Sequence, residues 1–305
     1  MTNSAPLHGL VAAVHTPFDA SGALQLDAVE AQAAHLLRNG VGTAFVGGTT
    51  GESASLTLDE RMELTRRWIE VARGTGLRVV VHVGSNCLED ARKLAAQAGM
   101  LEADAISAIA PSYFKPGSID TLVACCARIA SAAPETPFYY YDIPPLTGIT
   151  LSSAEFLRRA PSAIPSLAGL KYSNPDLMTL QQCLGMGFDV PFGIDEHLLG
   201  AMAMGVRGAV GSGYNFAAPI YRRLISAFDQ GDLAAARVEQ ARGAEVVRIL
   251  VARGYMGSAK ALMGMLGVEV GSPRLPNTPL GPDAIRSLRS ELEKAGFFDW
   301  LAGGP

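Results

Sequence analysis

Eight short apolar runs, separated by longer stretches of helical periodicity, narrow most sharply what this chain can fold into. The runs lie at 9–14, 43–47, 78–83, 105–109, 137–141, 167–171, 190–193 and 207–210. Helical patterns fill 26–38, 57–73, 88–101, 117–132, 152–160, 175–185 and 196–204. The runs begin from 9 to 207 in seven steps. That is roughly 28 residues per unit, close to the about 31 of an eight-unit barrel of ~250 residues. They are continuously apolar rather than alternating, as parallel strands buried on both faces are. The expected fold is therefore α/β: a (β/α)8 TIM barrel over 7–225, with a C-terminal helical extension over 226–305, in a single domain. A doubly wound open sheet shares the alternation, but it usually carries a glycine-rich phosphate fingerprint that is missing here. Thr57-Leu58-Asp59-Glu60 reads as a capping box, and Asn86 with Glu89 as a second helix start.

Composition closes off several functions. The 305 residues are 49% hydrophobic and 18% charged, too apolar for a disordered chain. A net charge of −4 concentrates no positive field, so no nucleic-acid partner is expected. Mean hydropathy is high, at +0.20. Yet the longest uncharged stretch, 1–18, is interrupted by Pro6, His8, His15 and Pro17. It falls short of the about 20 apolar residues of a membrane span. It also lacks the basic start of a secretory signal. The expectation is a cytoplasmic protein with no membrane partner, its surplus hydrophobicity spent at subunit interfaces. Cys87, Cys125, Cys126 and Cys183 form no C-x-x-C, and the five histidines form neither H-x-H nor H-E-x-x-H. No phosphate-binding glycine motif is present. Neither a metal nor any other cofactor is expected.

In a TIM barrel the chemistry sits at the C-terminal ends of the strands. Polar clusters occur at five of them: Gly47-Gly48-Thr49-Thr50-Gly51-Glu52, Tyr141-Asp142-Ile143-Pro144, Lys171-Tyr172-Ser173, Gly193-Ile194-Asp195-Glu196 and Gly211-Ser212-Gly213-Tyr214. Lys171 ends an apolar run. A lysine there either snorkels to solvent or, desolvated in a barrel mouth, supplies a neutral amine able to form a Schiff base. The Gly-Gly-Thr-Thr-Gly loop is either an ordinary turn or a nest of N–H groups for a carboxylate. Tyr141 is a proton shuttle or one more packed aromatic in the 138–141 run. Asp195 and Glu196 contact hydroxyls or favour the start of a helix.

Taken together and in order, these motifs resemble the N-acetylneuraminate lyase branch of the dihydrodipicolinate synthase/N-acetylneuraminate lyase superfamily. Ile109-Ala110-Pro111, Leu146-Thr147-Gly148 and Pro273-Arg274-Leu275-Pro276 extend the likeness from about residue 7 to 276. The resemblance implies a class I aldolase that reversibly cleaves N-acetylneuraminate to N-acetylmannosamine and pyruvate. It implies Lys171 as the Schiff-base lysine and Tyr141 as the proton-transfer tyrosine. Tyr113 matches a tyrosine that completes a proton relay, in related proteins across a subunit boundary. Thr49 and Thr50 would hold the substrate carboxylate, and Ser173 would lie near the reacting hydroxyl. Gly193, Asp195, Glu196, Gly211 and Ser212 would line the polyhydroxyl chain. A homotetramer is implied as well. Synthases of the superfamily carry an arginine just after the Y-x-x-P turn, where this chain has Pro145-Leu146-Thr147. Asp142 and Gly213 also depart from the family pattern, with consequences expected at the sugar end of the pocket. The alternatives are a related pyruvate-dependent aldolase or dehydratase acting on another 2-keto-3-deoxy sugar acid, and a barrel that senses a keto acid without turnover. A sensor has no need of Lys171 and Tyr141 together.

Overall fold

The computed structural model describes residues 5–302. Seven parallel strands form its sheet: β1 (Gly9–Ala13), β2 (Thr43–Val46), β3 (Arg78–His82), β4 (Ala105–Ala108), β5 (Phe138–Asp142), β6 (Leu167–Tyr172) and β7 (Gly208–Gly211), in the order β6-β5-β4-β3-β2-β1-β7. The run expected to be a strand at 190–193 is not a regular one. It makes isolated bridges to both edges, Tyr172 with Phe192 and Phe192 with Ala209. The cause lies in Pro191, which has no N–H to give a ladder. Its carbonyl still accepts from Tyr172 N–H at 2.9 Å, and Phe192 N–H reaches the Gly208 carbonyl at 2.9 Å. This irregular eighth stave joins β6 to β7 and closes the barrel.

Around the sheet run α1 (Ala28–Arg38), α2 (Leu58–Ala72), α3 (Leu88–Met100), α4 (Ile119–Ala130), the single turn α5 (Pro144–Thr147), α6 (Ser153–Arg159), α7 (Leu177–Leu184), α8 (Leu198–Ala203) and α9 (Ala218–Asp229). Four more helices follow: α10 (Leu233–Val251), α11 (Tyr255–Met265), α12 (Pro282–Ala295) and α13 (Phe297–Ala302). The helix expected over 196–204 begins instead as a 3-10 turn at Asp195–His197. The capping box of α2 is formed, with Glu60 N–H on Thr57 Oγ1 at 3.2 Å and Thr57 N–H on Glu60 Oε2 at 2.9 Å. Asn86 does not cap α3, whose N-cap is Cys87. Its Oδ1 is taken by the N–H groups of Ser112 and Tyr113, at 2.8 and 2.9 Å. No helix among the described residues is long and apolar enough to cross a membrane.

Alternation along the strands divides the core in two. An inner cluster of Val11, Phe45, Val80, Tyr139, Tyr141 and Val210 fills the barrel. The outer cluster, between sheet and helices, takes the other face of the same strands. The four consecutive aromatics of β5 are thereby sorted. Phe138 and Tyr140 face outward, Tyr140 against Phe156 with ring centroids 4.6 Å apart, while Tyr139 and Tyr141 face in. Tyr139 is satisfied there by Asp189, its hydroxyl donating to Oδ2 at 2.8 Å. Register places Tyr141 of β5 directly beside Lys171 of β6.

The C-terminal helices are bound to the barrel by polar clamps. Gln240 of α10 accepts from Leu199 N–H at 2.8 Å and donates to the Asp195 carbonyl at 3.2 Å. Arg274 grips the capping-box glutamate: its guanidinium reaches the two Glu60 oxygens at 2.5 and 2.8 Å. These bonds hold the Glu60 carboxyl down at about 2, against an ordinary 4.5. A carboxyl depressed in the folded state stabilises the fold fully above its unfolded value and loses that stabilisation as pH falls through the folded value. Glu60→Gln should therefore flatten the fall in stability between pH 4.5 and 2. It should also cost about 1–2 kcal/mol at neutral pH, since the pair is partly exposed and screened. Urea melts at both ends of that window provide the check, and an unaltered acid slope would contradict the clamp.

Candidate active site

The C-terminal strand ends converge on a cavity of about 390 Å³. Thr49, Thr50, Tyr141, Lys171, Ser173, Gly193, Asp195, Glu196, Gly211 and Ser212 all line it. Five separate loops supply them, as the strand-end rule requires.

Lys171 is 4% exposed. Its amine lies 3.4 Å from the centroid of the Tyr141 ring and 4.8 Å from that of Phe45. Among the described residues no carboxylate forms an ion pair with it. Burial lowers its pKa, opposed in part by Tyr141 and by the charge of Asp195. An amine so placed gives up its proton more readily than one in water, and the neutral form is the nucleophile. The Tyr141 hydroxyl stands 3.4 Å from that of Thr49. A lysine, a phenol and a threonine hydroxyl thus meet inside one cavity.

The Thr49–Thr50 loop is shaped by its surroundings. Gly47 takes a φ of +67°, a left-handed conformation that side chains rarely adopt. No hydrogen bond among the described residues engages the backbone N–H of Thr49 or Thr50. Two unspent N–H groups and two hydroxyls facing a cavity suit a carboxylate. Behind the loop stands His82, at the end of β3, which the sequence analysis did not single out. Its Nδ1 lies 2.8 Å from the Gly47 carbonyl, and its ring meets Tyr141 edge-on with centroids 5.9 Å apart. Burial holds it neutral, well below the usual histidine range, so Nδ1–H donates to Gly47. The strand-end rule, applied to β3 as well, finds this residue.

The opposite side of the cavity is polar and crowded. A side chain at Gly193 would overlap the Ser173 hydroxyl, and one at Gly211 would overlap the Asp195 carboxylate. Glycine at these two positions makes room for the polar groups beside them. Ser173 Oγ is buried without a hydrogen-bond partner, a group left for a ligand to satisfy. Burial lifts the Asp195 carboxyl to about 7, although Gly213 N–H at 2.6 Å favours its charged form. Tyr255, from α11, closes this side with its hydroxyl 2.5 Å from Ser212 Oγ. Val247, Val251 and Met256 join it from the C-terminal helices. Nothing local in the sequence marks these four, because only packing of the extension brings them to the mouth. No group of three or more His, Cys, Asp or Glu among the described residues is arranged to hold a metal.

Two expected contributors lie elsewhere. Tyr113 is 78% exposed on the loop after β4, stacked edge-on with Phe114, and does not line the cavity. Asp142 turns away from it, accepting from Ser153 Oγ at 2.7 Å and Asn174 Nδ2 at 3.0 Å. The departure at Asp142 therefore acts on the outer packing and not on the cavity where the resemblance placed its effect. Gly213 does bear on the cavity, through its N–H on Asp195. Leu146 lines the cavity.

The family model described as "Dihydrodipicolinate synthetase family" matches residues 6–295. The N-acetylneuraminate lyase of Danio rerio is 39% identical over 293 residues, covering 94% of this chain and 95% of that one. The solved N-acetylneuraminate lyase of Proteus mirabilis superposes with a TM-score of 0.93 at 37% identity, over 96% of this chain and all of that one. That of Aliivibrio salmonicida does so at 0.93 and 40%, over 96% and 98%. With the same fold and a family match running almost from end to end, this chain belongs to the dihydrodipicolinate synthetase family.

Proposed function

We propose that the chain is a class I aldolase cleaving N-acetylneuraminate to N-acetylmannosamine and pyruvate, reversibly. The observation that carries this reading is the Lys171 amine, buried without a carboxylate partner beside Tyr141 in a cavity with hydroxyls at both ends. The names of the relatives support the substrate. So does Leu146, an apolar residue where a synthase would place an arginine for a second carboxylate.

In this reading the open-chain sugar acid seats its carboxylate on Thr49 and Thr50. Lys171 Nζ adds to the C2 ketone, and the Tyr141 phenol gives its proton to the carbinolamine hydroxyl, which departs as water and leaves a protonated imine beside a phenolate. The C4 hydroxyl proton passes to the Tyr141 oxygen as the C3–C4 electrons move into the imine. N-acetylmannosamine leaves as the aldehyde. The enamine takes a proton at C3, and water hydrolyses the resulting imine to pyruvate and free Lys171. Ser173, Gly193, Asp195, Glu196, Gly211 and Ser212 hold the hydroxylated chain. The barrel over 7–225 supplies the chemistry, and the helices α10 and α11 that follow it cover the mouth. We place the enzyme in the cytoplasm, where its four cysteines, all free, suit a reducing compartment.

Borohydride reduction in the presence of pyruvate should fix a three-carbon adduct on Lys171. Tyr141→Phe should still form that adduct while cleavage of N-acetylneuraminate falls by about 10²–10⁴. Peptide mass spectrometry locating the adduct on Lys115 or Lys260 would sink the mechanism.

The carboxyl of Asp195, raised to about 7, is largely protonated below that pH and ionised above it. The ionised form accepts from sugar hydroxyls, so kcat/KM should rise through pH 7. Asp195→Asn should abolish that limb and lower kcat/KM by about 10–100-fold, the loss of one or two charged hydrogen bonds. Pyruvate trapping should be unaffected. A limb of unchanged position in the variant would assign it to another group.

Assembly enters through Tyr113. We propose a homotetramer in which the exposed Tyr113 of one subunit completes the relay in its neighbour. Mixing Lys171→Ala with Tyr113→Phe subunits should then give activity above either parent. A fully active monomer by light scattering would refute the coupling.

A further inference from the structure

The second buried lysine of the molecule takes no part in this mechanism. Lys260, on α11, is ion-paired with Glu52 at 2.8 Å, both side chains almost wholly removed from solvent. Glu52 is the residue that ends the Thr49–Thr50 loop. It holds a φ of +53°, one of two left-handed residues other than glycine among those described. A side chain is strained there, and the anchorage of its carboxylate offsets the strain. The polar groups of the pair tie this loop to Thr16, just past β1, and to the segment that follows α11. Glu52 Oε2 accepts from Arg274 N–H at 2.9 Å. Lys260 Nζ donates to the carbonyls of Thr16 and Ser272, at 2.8 and 3.3 Å. Thr16 in turn donates its hydroxyl to the Gly51 carbonyl at 2.6 Å. From one ammonium group, two short paths therefore reach consecutive residues of the loop, Gly51 and Glu52.

We propose that Lys260 and Glu52 are positioning residues: their buried pair sets the place of the Thr49–Thr50 loop and so tunes how tightly the site grips the carboxylate of a 2-keto acid. The inference rests on the aldolase reading above, in which that loop holds the carboxylate. It makes the C-terminal helices part of the binding machinery at a point remote from the mouth they cover. An isolated buried charge is far costlier than a removed pair. The informative variant is therefore the double one, Glu52→Gln with Lys260→Met. Thr16→Val tests the second path with the ion pair left in place.

The measurement is the pyruvate concentration that half-saturates borohydride trapping on Lys171, read by intact mass beside kcat and KM for N-acetylneuraminate. Half-saturation should move up by about 10–100-fold in the double variant and about 3–10-fold in Thr16→Val, the scale of a loop displaced by under an ångström. Trapping should still reach completion at saturating pyruvate, and KM should move more than kcat. A pair that merely stabilises the fold would lower the melting temperature and leave half-saturation where it was. Native protein that traps pyruvate on Lys171, with both variants saturating within twofold of it, overturns the proposal and leaves the aldolase reading standing. Native protein that traps none on Lys171 overturns both.

Discussion

A lysine amine withdrawn from water without a carboxylate beside it is an expensive thing to build, and the rest of the site is arranged around that expense. The molecule shows the two ways of treating such a group side by side. Lys260 is compensated by a carboxylate and two carbonyls, and its charge is useful only as an anchor. Lys171 faces two aromatic rings and an open cavity. Its charge is only partly supported, and its lone pair is within reach of a ligand. The same residue type, equally buried, is paired in one setting and unpaired beside a cavity in the other. The difference lies in whether an oxygen stands within ion-pair distance.

Lys171 can be left in that state because the barrel around it does not yield. Parallel pairing puts Tyr141 abreast of Lys171, and alternation sends both inward. The inner cluster, with Phe45 and Val210, packs the barrel interior, so the cavity at the mouth is the side on which the amine meets a ligand. The outer cluster fixes the same strands from behind. Catalytic geometry here is a by-product of core packing: the residues that exclude water from the barrel also aim the reactive groups at its mouth.

The mouth itself is completed from far along the chain. Val247, Val251, Tyr255 and Met256 line one side of the cavity. Lys260 and Arg274 meet the loop that ends at Glu52 from behind. Gln240 steadies the Asp195 turn. The helices beyond the barrel are thus neither a lid alone nor a spacer. They meet the cavity both at its Ser212 side and behind the Thr49–Thr50 loop.

Much of this was legible before any coordinates. Apolar runs at regular spacing specify parallel strands, because only burial on both faces calls for such runs, and strand ends specify where polar residues gather. That reasoning located ten residues that share the cavity. His82, at the end of β3, falls under the same strand-end rule. The run at 190–193 was misjudged, since a proline there breaks a ladder that periodicity alone cannot see, and Asn86 was overvalued as a cap. Other features were beyond its reach in principle. Which of four adjacent aromatics face inward depends on register, a property of pairs of strands. The direction of Asp142, the exposure of Tyr113, the arrival of Tyr255 and the union of Lys260 with Glu52 across more than two hundred residues are all contacts between distant segments. The sequence by itself determined the barrel and its polar rim, because these follow from periodicity and from the order of elements. Only the tertiary structure decided which lysine is paired and which is free, because a charge takes its character from neighbours that the fold alone assembles.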